Sequence, residues 1–440
     1  MRKDFVKLYI QCDWHEALTA EGTSCWLTFR SGVNKREAKL KKKEGTLLSI
    51  EFLDLIEDFV AEQDVEVVHL NRRCLKIEIG HQLQSVVFEA PSKEFSHLHC
   101  GRKIDCLAVT DALGASSSSS AVDDHVVLLW NVETGEVRRR LEGHPFDINA
   151  LAFFPSGIVL LSASLDLRIW SCETGKCARS LQGHKRPVED VAIVGRGKNV
   201  ASVATDGFLN LWSCGGGNVI KKKNIQSGII CIDVIGVDDS DILLILNGLS
   251  EVEKEEESET RGKMVIIATE DNRLVLFHLL SNCELASVKV GTENDRISCC
   301  RFASSSIVIC AFTNGMAESH NISANSHKHQ SSLPLNLEHK LTMNISQGSS
   351  IGSIGMIGSF LFFAAKDGSV TGIDVTSLSI LSELGNGNEP AELERAEKLT
   401  VRELTGSDCD AVYKVCSNAK HIFTCCRDGK IRIYNKNGYV

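Results

Sequence analysis

Two sets of histidine, serine, aspartate and tryptophan residues recur along the chain with almost the same spacing. They are His144, Ser162, Asp166 and Trp170 in the first set, and His184, Ser202, Asp206 and Trp212 in the second. In both sets the histidine follows a glycine and stands 22 residues before the aspartate. These residue types serve in nucleophilic catalysis, and they also build buried hydrogen-bonded networks. The elements that position them decide between these two kinds of chemistry.

Both sets belong to a longer internal repeat. A turn aspartate or asparagine is followed by an alternating segment and, six residues on, by an aromatic or other large residue. The repeats with this spacing are Asp124–Trp130, Asp206–Trp212, Asp271–Phe277, Asn314–His320, Asp367–Ile373 and Asp428–Tyr434. A seventh, Asp166–Trp170, is two residues shorter, which predicts a tight hairpin. The shorter intervals match the roughly 40 to 45 residues of a four-stranded propeller blade, so the sequence predicts an all-β, seven-bladed β-propeller.

The repeat resembles the WD repeat, most clearly in the blades that end at Trp130, Trp170 and Trp212. That resemblance implies a buried relay in which tryptophan bonds serine, serine bonds histidine, and histidine bonds the turn aspartate. Every polar group is then satisfied, so both sets are predicted to be structural.

The rest of the sequence contains no glycine-rich phosphate loop and no paired carboxylates that would indicate an enzyme. His97-Leu98-His99 and His327-Lys328-His329 are common chance pairs. We therefore expect no catalytic residue, no cofactor and no specific metal site.

The ring needs a closing strand, because six residues remain after Tyr434. Ser85–Glu89 is predicted to supply it and to leave no open sheet edge. Residues 1–82 are then a small N-terminal α/β domain that contains the amphipathic segment Leu47–Val60. Residues 83–440 form the WD-repeat propeller, with a flexible acidic insertion at about 237–263 and a polar surface loop at Ser326–Gly348.

Charge and composition narrow the class of protein. The net charge is −9, and Glu251–Glu259 contains six glutamates, which argues against a nucleic-acid-binding propeller. The basic run Lys35–Lys43 is interpreted as a solvated loop. We expect no membrane span, since no apolar run approaches roughly 20 residues. We also expect no secretory signal, and the seventeen cysteines, without a Cys-x-x-Cys pair, are expected to be reduced thiols of a cytosolic protein.

Three segments outside the generic repeat carry a more specific resemblance. They are Ile10–Trp14, Arg139–Asn149 with Phe153–Gly157, and Glu403–Asp410 with Thr424–Gly429. These segments resemble the proteasomal ATPase-associated factor 1 family, which are WD-repeat chaperones of the proteasome regulatory particle. The resemblance implies binding to the C-terminal domain of a proteasomal ATPase subunit during assembly, which restrains premature association with the core particle. It also implies a monomer in the cytoplasm, with the nucleus left open.

An acidic surface would suit a lysine-rich helical partner through steering and register. The candidate partner-binding residues are Asp147, Glu189, Asp190, Glu270, Asp295, Asp408 and Asp410. Each of them could instead be an ordinary solvated turn residue. The alternative function is a substrate receptor of a cullin-type ubiquitin ligase, which would carry Trp-Asp-x-Arg at the end of a blade. The three blades that end in tryptophan lack that arginine.

Overall fold

The chain is built mainly of β-strands. The computed structural model describes all residues except 1, 4–6, 20–21, 32–33, 43–47, 53–64, 81–83, 120–124, 250–256, 293–294, 326–332, 347, 377–398 and 437–440. In the described part of the chain, no helix is both long enough and apolar enough to span a membrane. All seventeen cysteines are free thiols.

The described residues among the first ninety form two antiparallel sheets, one short helix and the short strand β1, which pairs elsewhere in the chain. These elements are β1 (Arg2–Lys3), β2 (Lys7–Ile10), α1 (Trp14–Ala17), β3 (Ser24–Ser31), β4 (Asn34–Lys42), β5 (Leu48–Phe52), β6 (Val65–Asn71), β7 (Cys74–Ile79) and β8 (Gln84–Glu89). Strands β2 to β5 make one sheet, and β6 to β8 make the other. Both sheets contribute to one core around Trp14, Leu27, Phe29 and Phe88. We refer to this part as the N-terminal region.

Four sheets of four successive antiparallel strands follow β9 (Lys93–Phe95). Sheet one is β10 (Cys106–Val109), β11 (Leu113–Ser117), β12 (Val127–Asn131) and β13 (Val137–Leu141). Sheet two is β14 (Ala150–Phe153), β15 (Val159–Ala163), β16 (Leu167–Ser171) and β17 (Cys177–Leu181). Sheet three is β18 (Val188–Val194), β19 (Asn199–Ala204), β20 (Phe208–Ser213) and β21 (Val219–Asn224). Sheet four is β22 (Ile229–Gly236), β23 (Lys263–Thr269), β24 (Arg273–His278) and β25 (Cys283–Lys289), with α2 (Ser240–Leu249) between its first two strands.

Three more sheets complete the chain. Sheet five is β26 (Ile297–Ser304), β27 (Ile307–Phe312), β28 (Met316–Ala324) and β29 (Leu335–Asn344), and β1 adds to β29. Sheet six is β30 (Ile351–Ile357), β31 (Phe360–Ala365), β32 (Val370–Asp374) and β33 (Leu399–Leu404). Sheet seven is β34 (Val412–Ser417), β35 (His421–Cys426) and β36 (Ile431–Asn435), with β9 as its fourth strand.

The sheets pack face to face around a central channel. The first strand of each sheet contacts the first strand of the next, and β34 contacts β10. Each sheet is therefore covered on both faces, and burial is greatest in its inner strands. All six residues of β19 are buried, whereas four of the five residues of β17, an outer strand, are exposed. This is the packing of a β-propeller, in which the core lies between successive sheets.

The closing strand differs from the one that the sequence predicts. Lys93–Phe95 (β9), and not Ser85–Glu89, pairs with β36 and completes sheet seven. The predicted segment lies in β8, which pairs antiparallel with β7 and parallel with β33 of sheet six. The boundary expected at residues 82 and 83 lies outside the described residues, between the paired strands β7 and β8. The physical reason is burial: Ser85 to Glu89 of β8 are all buried, as suits a strand paired on both edges with β7 and β33, whereas the short β9 buries only Phe95 and suits an outer edge.

The N-terminal region is also more β-rich than expected. In its described part, the one helix is the four-residue α1, and Leu48–Phe52 of the amphipathic segment is a strand. The basic run is not a solvated loop, because Lys35–Lys42 lies within β4. Its alternate residues Arg36, Ala38 and Leu40 are buried, so the strand period of two prevails over the local charge.

The acidic insertion begins with a packed helix and is not flexible throughout. Asp239 accepts hydrogen bonds from the backbone N–H groups of Asp241 and Ile242, as an N-cap residue does. Ile242 and Leu246 of α2, four residues apart, are buried in the core of sheets four and five. Of the predicted polar loop Ser326–Gly348, residues 335–344 form β29. Residues 250–256 and 326–332 lie outside the described residues.

Candidate protein-binding face

The first set of histidine, serine, aspartate and tryptophan residues forms one chain of hydrogen bonds in sheet two. Nδ1 of His144 lies 3.0 Å from Oδ1 of Asp166, and Nε2 lies 2.6 Å from Oγ of Ser162. Trp170 Nε1 donates to the same Oγ over 2.8 Å. Because a carboxylate can only accept, Nδ1 carries the imidazole proton and Nε2 accepts the serine hydroxyl proton. Every donor in this relay has an acceptor.

Burial sets the charge state of the relay. Burial lowers the pKa of His144 to about 4, although the nearby Asp166 carboxylate acts in the opposite direction. Burial alone would raise the pKa of Asp166, but hydrogen bonds from Arg168 and Ser180 outweigh it and lower that pKa. At neutral pH the histidine is therefore uncharged and the aspartate is ionised. Ser162 is fully buried and its oxygen already accepts from Trp170, so it has no access to a substrate.

Sheet three repeats the whole arrangement, and sheet one repeats its tryptophan, serine and histidine part. In sheet three, His184 Nε2 lies 2.7 Å from Ser202 Oγ, Trp212 donates to that oxygen over 2.8 Å, and His184 Nδ1 lies 3.1 Å from Asp206.

In sheet one, His99 Nε2 lies 2.8 Å from Ser116 Oγ, to which Trp130 donates over 3.1 Å. The sequence pattern missed this third relay because no glycine precedes His99 and because Ser116 stands 14 residues before the tryptophan. His99 is thus a relay residue, and its neighbour His97 bonds the Gly135 carbonyl over 2.9 Å.

The relays mark one end of the ring, which we name the relay face. At this end the first strand of each sheet begins and the second strand ends. All seven acidic candidates lie there: Asp147 before β14, Glu189 and Asp190 in β18, Glu270 after β23, Asp295 before β26, and Asp408 and Asp410 before β34. Asp147, Glu270 and Asp408 are exposed, and the other four are partly buried.

Two exposed apolar side chains lie beside Asp147 on the relay face. Phe146 is 53% exposed and Leu165 is 37% exposed. The shortened hairpin of sheet two brings them together, because Ser164 Oγ donates to the Phe146 carbonyl over 3.1 Å. Ala163 pairs directly with Leu167, which leaves a three-residue turn with Leu165 at its tip. We name Phe146, Asp147 and Leu165 the Phe146 patch. Sequence reasoning missed its apolar members, although the shortened turn was the signal for them.

Glu189 and Asp190 line the central channel, a cavity of about 720 Å³. Asp190 accepts the Ile232 backbone N–H over 3.2 Å, which links sheets three and four. Burial raises the pKa of Asp190 more than the cationic Lys414 lowers it. Burial would lower the pKa of Lys414, but Asp190 and nearby thiols outweigh this and raise it. Asp190 therefore has a structural role within the channel wall.

Asp295 and Asp408 also have partners within the chain. Asp295 Oδ2 accepts from the backbone N–H and the hydroxyl of Thr292, and Asn314 donates to its other oxygen. Asp408 accepts a hydrogen bond from Cys12 of the N-terminal region, and burial together with this carboxylate raises the pKa of Cys12 to about 11. Asp147 and Glu270 are exposed, and neither carboxylate accepts a hydrogen bond of this kind from the described residues. Asp147 Oδ1 lies 3.2 Å from Nδ1 of His125.

One group of metal-ligating side chains occurs among the described residues. Cys310, Glu318 and His320 of sheet five lie together. His327 and His329 lie outside the described residues.

Comparison with known proteins identifies the family. The WD domain, G-beta repeat, matches residues 135–170, 175–213 and 398–435. Proteasomal ATPase-associated factor 1 of Homo sapiens is 31% identical over 427 residues, which cover 97% of this chain and 98% of that protein. The Gallus gallus protein of the same name is 30% identical with the same coverage. The β-propeller domain of Cps50 (Swd1) from Myceliophteria thermophila shares the fold, with a TM-score of 0.54 and 14% identity over 78% of this chain and 98% of that chain. This chain, a WD-repeat β-propeller, therefore belongs to the proteasomal ATPase-associated factor 1 family.

Proposed function

We propose that this protein binds the C-terminal domain of a proteasomal ATPase subunit through its relay face. In this role it is a non-enzymatic, monomeric assembly chaperone of the regulatory particle. The proposed location is the cytoplasm, with the nucleus as a second location. It restrains the bound subunit from premature association with the core particle. The proposal includes a seven-bladed ring as the rigid scaffold and the N-terminal region as a part attached to sheets five and six.

The similarity to proteasomal ATPase-associated factor 1 over 97% of the chain carries this proposal. The name of those relatives states an association with proteasomal ATPases, and the matched length includes both the N-terminal region and the ring. Similarity that was confined to the repeats would support the fold alone.

The Phe146 patch is the place on the relay face that best fits a protein partner. Binding energy in protein interfaces is concentrated in a few buried aromatic and apolar side chains, surrounded by polar residues. Phe146 and Leu165 supply exposed apolar surface, and Asp147 supplies an adjacent charge that can set the register of a basic helix.

A pull-down with the isolated C-terminal domain of each proteasomal ATPase subunit tests the proposal. We expect one subunit domain to bind the full-length chain. The double variant Phe146→Ala/Asp147→Lys should weaken that binding by at least roughly tenfold, because loss of a central aromatic residue costs more than about 1.4 kcal/mol. Calorimetric titration measures the dissociation constant.

The matched control is Glu136→Lys/Glu173→Lys, which reverses two exposed charges at the opposite end of sheets one and two. This control should bind as the parent does. Equal weakening of ATPase-domain binding by both variants would contradict the proposal. Co-purification of a ubiquitin-ligase adaptor without any ATPase subunit would contradict it as well. Reversal of Asp408 and Asp410 is less specific, because Asp408 also bonds Cys12 of the N-terminal region.

A further inference from the structure

Sheet five departs from the relay at the positions that matter most. In sheet two, Ser162 stands opposite Arg168, and Leu160 stands opposite Trp170. In sheet five, Cys310 stands opposite Glu318, and Val308 stands opposite His320. The register therefore places Cys310 at the serine position and His320 at the tryptophan position. Glu318, opposite Cys310, stands where sheet two has an arginine. A hydroxyl and an indole are replaced by a thiol and an imidazole, and a carboxylate is added.

These three side chains converge on one point. Their ligand atoms all lie within 4.8 Å of one another. Nε2 of His320 is 3.3 Å from Oε2 of Glu318. Cys310 and His320 are buried, and Glu318 is partly buried. Sulfur, nitrogen and carboxylate oxygen at such distances form the donor set that a tetrahedral zinc ion takes in proteins.

An unsatisfied nitrogen points to the same conclusion independently. His320 is 1% exposed, yet its Nδ1 has no hydrogen-bond partner among the described residues. Buried polar atoms nearly always have a partner, so an orphan nitrogen next to a thiol and a carboxylate needs an explanation, and a bound ion supplies one. The indole that sheets two and three carry at this position is fully satisfied by its serine.

A bound cation would also change the protonation of the Cys310 thiol. Burial and the Glu318 carboxylate raise the pKa of Cys310 well above its usual value, because both disfavour a thiolate. A divalent cation compensates the thiolate and the carboxylate together, and it displaces the thiol proton to solvent when it binds.

A fourth donor is within reach on the next strand. His339 of β29 is the cross-strand neighbour of His320, and their ring centroids are 5.5 Å apart. His339 is exposed, so this side of the group is open to solvent and to an arriving ion. Its Nε2 lies 2.8 Å from Thr342 Oγ1, so Nδ1 is the nitrogen of His339 that would bind the ion.

We propose that Cys310, Glu318 and His320 bind a structural zinc ion, with His339 or a water molecule in the fourth position. The ion takes the place of the indole-to-hydroxyl hydrogen bond of the other sheets and links β27 to β28.

Metal analysis of the full-length protein tests this site. After loading with zinc and removal of the excess, elemental analysis should find one zinc ion per chain. With cobalt in place of zinc, a sulfur-to-cobalt charge-transfer band should appear in the near ultraviolet, since the site contains a thiolate. Cys310→Ser should abolish the band and reduce the bound zinc to near zero.

Two further variants separate ligation from folding. Cys310→Ser/His320→Trp restores the serine and tryptophan of the complete relays, so it should be folded, bind no zinc and melt at a temperature that zinc does not change. Cys425→Ser removes an equally buried thiol from the second strand of sheet seven and should keep both the zinc and the band. A parent protein that binds no zinc, or a cobalt band that survives in the double variant, would overturn the proposal.

Discussion

At the scale of single residues, the environment of the serine, histidine and aspartate in the relays shows that they have a structural role and not a catalytic one. Serine, histidine and aspartate are hydrogen-bonded in the order of a nucleophilic triad. However, Ser162 accepts the indole proton of Trp170 and is sealed from solvent. An active serine needs an exposed oxygen and a vacant approach for the substrate. The same residues in this setting hold a turn in place.

The neutral histidine makes stability depend on pH. The pKa of His144 is about 4 in the folded protein against 6.5 for the free side chain. Its contribution is therefore fully present above pH 6.5, where neither state is protonated. It is lost as the pH falls towards 4, because the unfolded chain takes up the proton first. The loss attributable to this residue is up to roughly 3 kcal/mol.

Denaturant unfolding at a series of pH values checks this prediction. The parent should lose stability steeply between pH 6.5 and pH 4. His144→Gln should be less stable at pH 7 and should show a shallower dependence over that interval. An unchanged slope in the variant would mean that His144 titrates alike in the folded and unfolded chains.

At the scale of elements, the closing role that the sequence predicts for the segment in β8 belongs to β9. Phe95 of β9 is buried and packs edge-on against Trp130, with ring centroids 5.6 Å apart. Strand β8 instead lies between β7 and β33, and it makes sheet six continuous with the sheet β6 to β8. The closing strand thus joins sheet seven to sheet one through its aromatic side chain.

Cross-linking distinguishes the two strands directly. Lys93 and Ile433 are register partners, and cross-strand Cα atoms lie roughly 4.5 to 5.5 Å apart, within the range that a disulfide spans. Oxidation of Lys93→Cys/Ile433→Cys should give an intramolecular disulfide that peptide mapping locates. Val87→Cys/Ile433→Cys is the control and should stay reduced. A disulfide in the control alone would restore β8 as the closing strand.

The sequence predicts the repeats well and the closure poorly, for physical reasons. Trp170 and Trp212 mark third strands because the relay chemistry is local in sequence and in space. The family assignment from Glu403–Asp410 and the other segments is confirmed by similarity along the whole chain. The strand β9 was missed because Lys93-Glu94-Phe95 has a single apolar residue, and its pairing with β36 depends on distant parts of the chain. The Phe146 patch and the group at Cys310 depend on register, which a repeat pattern alone does not give.

At the scale of the whole molecule, the N-terminal region is attached to the ring through a buried ion pair. Nζ of Lys7 lies 3.0 Å from Oε1 of Glu403 and donates to the Ile345 carbonyl over 2.8 Å. Thr371 donates to the same Glu403 oxygen over 2.9 Å. Trp14 of α1 donates to Thr405 over 3.1 Å. These bonds connect β2 and α1 with sheets five and six.

Removal of the cation should therefore weaken the whole molecule. Lys7→Met leaves the Glu403 carboxylate buried without its partner and should lower the free energy of unfolding by about 3 to 5 kcal/mol. Lys7→Met/Glu403→Leu should recover most of that loss, because no charge is then buried. Denaturant unfolding measures both variants. Lys41→Met, which breaks the exposed pair with Glu51, is the control and should change little. A single variant as stable as this control would mean that the ion pair does not hold the two parts together.

Ring closure also sets an order in time for the newly made chain. Glu94 of β9 and Arg432 of β36 are 338 positions apart in sequence, while Nε of Arg432 lies 3.0 Å from Oε1 of Glu94. A ribosome that adds roughly 5 to 20 residues per second needs about 20 to 70 s to make that interval. During synthesis β9 therefore has no sheet to join, whereas β2 to β8 can already pair with one another. The β9–β36 pairing therefore has to wait until β36 has been made, and a message truncated just before Ile431 would release a ring with an unfilled edge.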